Sequence, residues 1–310
     1  MNIFTLTFPV SYMMLLFGLI IGAGIAIIFF GSVSFMFAGI LILMGVVRIL
    51  PLLELIHKII LILFPETIER MSKNIGKSFP VVQTESLKKG IYIFHPHGMF
   101  SLAHFFHVGS GLTKWPQRPI RGTAIYYLWS MPFGRELMDS FGSRFVASTY
   151  DAMVNVLEGG ESLSVSLGGV REILHTEKGI MKLSISKKRG VFRMALATGT
   201  PLFPVLTYGE NELFEIMHHS YLDRLQELAL PYGIVFPIPT VNSCINWFSL
   251  LNAPLKNPVE TVIGNPIEVE KVEEPSEKQI IELREKYIQE LRTLYRNTRP
   301  SWYENELIII

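Results

Sequence analysis

A single cysteine, Cys244, stands in the whole chain of 310 residues, so no internal disulfide and no CxxC zinc or redox pair can form. A surplus of either charge is also missing. With 28 basic and 27 acidic side chains the formal net charge is +1, which excludes a general nucleic-acid binder held by phosphate contacts. Internal repeats and low-complexity tails are absent. The sharpest absence is local: Met1 to Val47 contains no Asp, Glu, Lys, Arg or His, and the first charge is Arg48. Mean hydropathy of the whole chain is +0.34, and this tract carries the excess.

At roughly 20 residues per crossing, the uncharged tract is long enough for two short membrane-spanning helices, Phe8 to Phe30 and Val33 to Leu50, hinged at Gly31-Ser32. A secretory signal peptide would need a basic start, and none is present. Arg48, His57, Lys58, Arg70, Lys73 and Lys77 all follow the second span, so the positive-inside bias puts the bulk of the chain, and with an even number of spans Met1 too, in the cytosol. The expected organisation is a membrane hairpin over 1–50, an amphipathic interfacial linker over 51–78 broken or bent at Pro65, and a cytosol-facing domain over 79–310.

Within that domain, apolar runs repeatedly end in glycine corners and pass into helical patterns, which predicts an α/β fold. Gly90-Ile91-Tyr92-Ile93-Phe94 reads as a buried strand running into His95-Pro96-His97-Gly98. Ser162 to Leu167 alternates weakly and meets Gly168-Gly169, with Glu172 three residues on. Pro201 to Tyr208 ends at Gly209-Glu210-Asn211, and Thr261 to Ile267 reads as a late edge strand. Asn211 to Leu230 has a mostly helical pattern, and from Ser276 onward Ile280, Leu283, Tyr287, Leu291 and Leu294 form the apolar stripe of a C-terminal helix.

Neutral imidazole at such a corner suits proton abstraction from an alcohol, and backbone N–H groups around Gly98 or Gly169 suit a developing oxyanion. The basic run Lys187-Lys188-Arg189, with Arg193 a turn later, offers donors to phosphates, although such runs are commonly solvated faces. A metal set built from His95, His97, His104 and Glu172 lacks a third ligand at a recognisable spacing, so no metal is expected.

These blocks together resemble the diacylglycerol acyltransferase type 2 family, which includes monoacylglycerol and wax-alcohol acyltransferases. The family's His-Pro-His-Gly signature stands at His95 to Gly98, its Pro-x-x-Arg-Glu block at Pro132, Arg135 and Glu136, and its Gly-Gly-x-x-Glu block at Gly168, Gly169 and Glu172. Its long Arg-x-Gly-Phe block continues through Arg189, Gly190, Phe192, Arg193 and Gly199 to Pro204, Gly209, Glu210 and Asn211. The resemblance implies a glycerolipid-acyltransferase-like mixed sheet with flanking helices. It implies transfer of an acyl group from acyl-CoA to a neutral lipid hydroxyl, diacylglycerol first and monoacylglycerol or a long-chain alcohol as the alternative, with no cofactor. It also implies an endoplasmic reticulum membrane setting, with homo-oligomerisation left open.

On this resemblance His97 is the preferred base and His95 the second choice. Gly98, Arg135, Glu136, Gly168, Gly169, Arg189, Arg193, Glu210 and Asn211 are expected to bind substrate. Distant glycerolipid acyltransferases carry an aspartate five positions after the histidine; here those positions are Phe100 and Leu102, so Glu172 is the candidate to orient the base.

Overall fold

A computed structural model describes residues 65–83, 88–110, 113, 115, 119–126, 144–232, 235, 237–243 and 253–310. The predicted hairpin over 1–50 and most of the linker lie outside the described residues. Among the described residues, no helix is long and apolar enough to cross a membrane.

The described end of the expected linker is a helix, α1 (Pro65–Ser78). The end of α1 is sewn into the domain. Ile75 and Phe79 are buried with Met99, Leu102 and Phe106, Ser78 Oγ donates to Asn74 O over 2.7 Å, and Leu255 N–H donates to Ser78 Oγ over 2.9 Å. The last turns of the expected linker therefore belong to the core.

The main sheet has seven strands: β1 (Val81–Gln83), β2 (Ile91–His95), β3 (Ile120–Ala124), β4 (Phe145–Ala147), β5 (Ser162–Ser166), β7 (Leu202–Tyr208) and β8 (Glu260–Ile263). A separate parallel pair joins β6 (Ile180–Leu183) to β9 (Glu306–Ile309). In the main sheet the order is β1-β8-β7-β2-β5-β3-β4. Neighbours are parallel except β7 and β8. The strand expected at the edge, β8, instead lies between β1 and β7; its short apolar run Thr261-Val262-Ile263 is buried, as an interior strand requires.

The remaining α-helices of the described elements are α2 (Leu102–His104, widening into a π-helical stretch over Phe105–Ser110), α3 (Tyr150–Glu158), α4 (Val170–Ile173), α5 (Gly190–Thr198), α6 (Ser220–Ala229) and α7 (Glu277–Thr298). The helix expected to begin at Asn211 begins at Ser220, because Glu210–Glu212 is a single 3₁₀ turn. Ser276 caps α7 in a reciprocal capping box with Gln279.

Period-two alternation divides the central strand between two cores. Ile91 and Ile93 of β2 pack with Phe192 and Met194 of α5 and with Tyr287 and Leu291 of α7. Tyr92 and Phe94 face the other way, into a cluster with Val108, Trp115 and Phe203. Because β2, β5 and β7 run side by side in parallel, their C-terminal ends open at one edge of the sheet. All three glycine-bearing corners named from the sequence emerge there.

Candidate active site

The first corner splits its two histidines. His95 ends β2 on the Ile91–Ile93 side, so alternation drives its ring into the core, where Nε2 lies 2.9 Å from the Tyr287 hydroxyl. Its Nδ1 is buried without a hydrogen-bond partner among the described residues. Burial, reinforced by nearby Lys188, pulls its pKa down to about 3, so the ring is neutral.

His97 lies beyond the strand and keeps partial exposure. Its Nδ1 is 2.9 Å from Gly98 O. A carbonyl only accepts, so Nδ1 carries the hydrogen and Nε2 keeps its lone pair. Burial lowers the pKa of His97 too; the bond to Gly98 opposes the shift and Lys188 adds to it. The result is a neutral imidazole whose basic nitrogen is not occupied by any described protein group.

At the second corner Gly169 adopts φ +62°, and a β-carbon on Gly168 would fall 2.2 Å from Glu172 Oε2. That close approach lets Glu172 fold back under the corner. Its Oε1 accepts the His97 backbone N–H over 2.6 Å, and its Oε2 accepts the Ser184 N–H over 2.9 Å. Burial raises its pKa, while these bonds and Lys188 work against the rise. Glu172 was expected to orient the base, and the structure corrects how: it clamps the backbone of His97, while the ring takes its direction from Gly98 O.

The third corner supplies a second clamp. Glu210, buried after Gly209, accepts the Leu102 N–H on Oε1 over 2.6 Å and the Ala103 N–H on Oε2 over 3.0 Å. Gly98, at φ +59°, comes so near that a β-carbon there would lie 2.7 Å from Glu210 Cγ. Asn211 donates from Nδ2 to Ile180 O over 2.9 Å. Glu210 and the Asn211 amide nitrogen were named as substrate contacts, and here they bond the protein's own backbone. The chain from His97 to Ala103 is thus held from both sides by carboxylates.

Arg189 and Arg193 were named as phosphate grips. Their exposed guanidiniums both reach Glu277, at 3.0 and 3.1 Å. Exposed ion pairs of this kind contribute about 0–1 kcal/mol. Arg193→Gln is therefore expected to change stability by less than about 1 kcal/mol; thermal unfolding of the purified variant would check it. Arg135 and Glu136 lie outside the described residues.

Three hydroxyls at the site, those of Ser101, Ser164 and Ser166, were not singled out from the sequence. Ser101, in the left-handed region at φ 52°, has Oγ 2.5 Å from Ser166 Oγ. Ser166 Oγ lies 3.1 Å from His104 Nδ1, and His104 Nε2 lies 2.8 Å from Ser164 Oγ. The signal for this chain was Ser162-Leu163-Ser164-Val165-Ser166, which puts three hydroxyls on one face of a strand. His107 is likewise occupied, between Thr113 and Thr261. Among the described residues no group of three His, Cys, Asp or Glu side chains is arranged to hold a metal.

Parallel strands that end together at a neutral, partly exposed imidazole place the chain in the α/β class, whose sites form at the strand ends. The family follows from comparison: the diacylglycerol acyltransferase family model matches residues 69–307, and the chain belongs to that family. Diacylglycerol O-acyltransferase 2 of Dictyostelium discoideum is 27% identical over 62% of this chain and 61% of its own length. Mouse 2-acylglycerol O-acyltransferase 1 is 31% identical over 65% of this chain and 64% of its own length. Mouse acyl-CoA wax alcohol acyltransferase 2 is 28% identical over 67% of each chain. The chain thus spans a little over three fifths of the first two relatives.

Proposed function

We propose that this protein is an acyl-CoA-dependent O-acyltransferase acting on the hydroxyl of a neutral lipid, with diacylglycerol as the leading acceptor and triacylglycerol as product. Family membership supports the reading, and one observation carries the chemistry: Nε2 of His97 is unprotonated at a corner clamped by Glu172 and Glu210. In the proposed step Nε2 takes the proton of the acceptor hydroxyl as its oxygen bonds to the thioester carbonyl carbon. The C–S bond then breaks, the imidazolium returns its proton to the departing thiolate, and ester and free CoA leave. Backbone N–H groups of the Gly98 and Gly169 corners would face the transient oxyanion. His95 has a supporting role through Tyr287.

A panel of acceptors offered with labelled acyl-CoA tests the reading. Triacylglycerol formed from diacylglycerol in preference to other products is expected. Preferred product from monoacylglycerol or a long-chain alcohol would reassign the acceptor, since those relatives match comparably well. No ester from any of them would remove the activity.

An acceptor with two acyl chains resides in the bilayer, so membrane attachment through residues 1–50, in the endoplasmic reticulum with the domain facing the cytosol, belongs to the same proposal. Tags at both termini are expected to be digested by protease added to sealed microsomes. Protection of either tag would refute the topology.

A further inference from the structure

Lys188 has no role in the scheme above. It sits in the turn before α5 between Lys187 and Arg189, both exposed, yet its own side chain is partly buried. Its backbone N–H donates to Ile185 O over 2.9 Å, which fixes the turn. Its Nζ donates to Gly168 O over 2.9 Å. A β-carbon on Gly169 would lie 3.9 Å from Nζ, so the ammonium lies along the two-glycine corner. Glu172 occupies the same corner, against Gly168, and reaches from there to the His97 N–H. An ammonium and a carboxylate are gathered around one pair of glycines, and the carboxylate holds the backbone of His97.

We infer that Lys188 is a cationic side chain of the acyl-transfer site, a positioning residue that holds the Gly168–Gly169 corner and sets the electrostatic surroundings of His97. The inference rests on the acyl-transfer reading of that site. A point charge in a partly buried corner is weakly screened, so it acts on neighbours it does not touch. Near His97 stand Glu172 of α4, which accepts its backbone N–H, Glu210 beyond β7, which lies against Gly98, His95 two residues back at the end of β2, and His104 of α2, on whose pKa His97 acts. Burial keeps His95 and His104 neutral. Lys188 adds to burial in favouring the neutral ring needed to accept a proton. Glu172 in turn favours the charged form of Lys188, while burial and Arg171 oppose it.

The sign of the test follows. A base must be unprotonated, so removing the cation raises the imidazole pKa and moves the acid limb of the rate profile to higher pH. Lys188→Met and Lys188→Gln, made in the full chain in detergent micelles, are expected to lower kcat by about tenfold or more and to shift the acid limb of kcat/KM upward by about one pH unit. Lys188→Arg keeps the charge and is expected to keep the limb in place. Reduced activity with an unmoved limb would make Lys188 mere scaffolding and overturn the inference. A higher KM for acyl-CoA with kcat and limb unchanged would overturn it in favour of a phosphate grip. Should both neutral variants fail to fold, a shifted limb in folded Lys188→Arg overturns it and an unshifted one supports it. If the wild-type chain forms no ester, the functional reading fails by itself. The ¹⁵N-imidazole titration of His97 then decides the inference: equal midpoints in wild type and Lys188→Met overturn it, and a higher midpoint in Lys188→Met supports it.

Discussion

Replacing His97 by alanine is expected to lower kcat by about 10²- to 10⁴-fold, the range typical of losing a positioned acid-base group. Folding should be nearly unaffected, because the ring is partly exposed and its bond is to the adjacent carbonyl of Gly98. His97→Gln is a stricter control: its amide can donate to the same carbonyl but cannot take a proton. It should be as inactive as the alanine variant. His95→Ala should behave in the opposite way. It opens a cavity beside Tyr287 and leaves a buried hydroxyl without its partner, for roughly 2–4 kcal/mol of stability, and activity per folded molecule should fall far less. Because burial lowers the His97 pKa from its ordinary 6.5, the wild-type rate should stay level through neutrality and fall only on the acid side of that value. Initial rates at saturating donor and acceptor, normalised to folded protein, measure all of this. Turnover near the wild-type level in His97→Ala would move the base elsewhere.

The separation of the two histidines was legible in part. Alternation along Ile91-Tyr92-Ile93-Phe94-His95 places His95 on the same side as Ile91 and Ile93, which is the side covered by α5 and α7. The three glycine corners were legible too, each at the end of an apolar run. What stayed hidden were the contacts across the sheet edge. Glu172 reaches a backbone 75 residues away and Glu210 one 108 residues away. Those pairings require the order β7-β2-β5, which no local period encodes. For the same reason β8 looked like an edge strand, and β6 and β9 were not recognised: each is four residues long and finds its partner only at long range. Lys188 stood among three consecutive cations, and hydropathy does not say which of them turns inward.

Glu210→Ala is expected to have the second large effect, on stability and turnover together. The substitution strands the buried N–H groups of Leu102 and Ala103. Each unsatisfied donor costs about 1–3 kcal/mol, so a loss of roughly 2–6 kcal/mol is expected. Turnover should also drop, because the released N–H groups lie five and six residues after His97 in the same corner. Glu210→Gln separates charge from shape. Burial pushes the Glu210 carboxyl from its ordinary 4.5 up to about 7, against the two N–H bonds that favour the carboxylate. A proton held more tightly in the folded state stabilises it fully below about pH 4.5, and that contribution is lost as pH rises through about 7. At its limit the difference is on the order of 3 kcal/mol. His95 and His104, both pulled down to about 3 by burial, act in the opposite direction below their ordinary 6.5, because unfolding lets them take up protons. They are present in both proteins and cancel in the comparison. The wild type should therefore lose stability relative to Glu210→Gln between about pH 5 and 8, as followed by chemical unfolding at a series of pH values. Parallel stability curves for the two proteins across that window would show that Glu210 does not titrate there and that its clamp works as a permanent carboxylate.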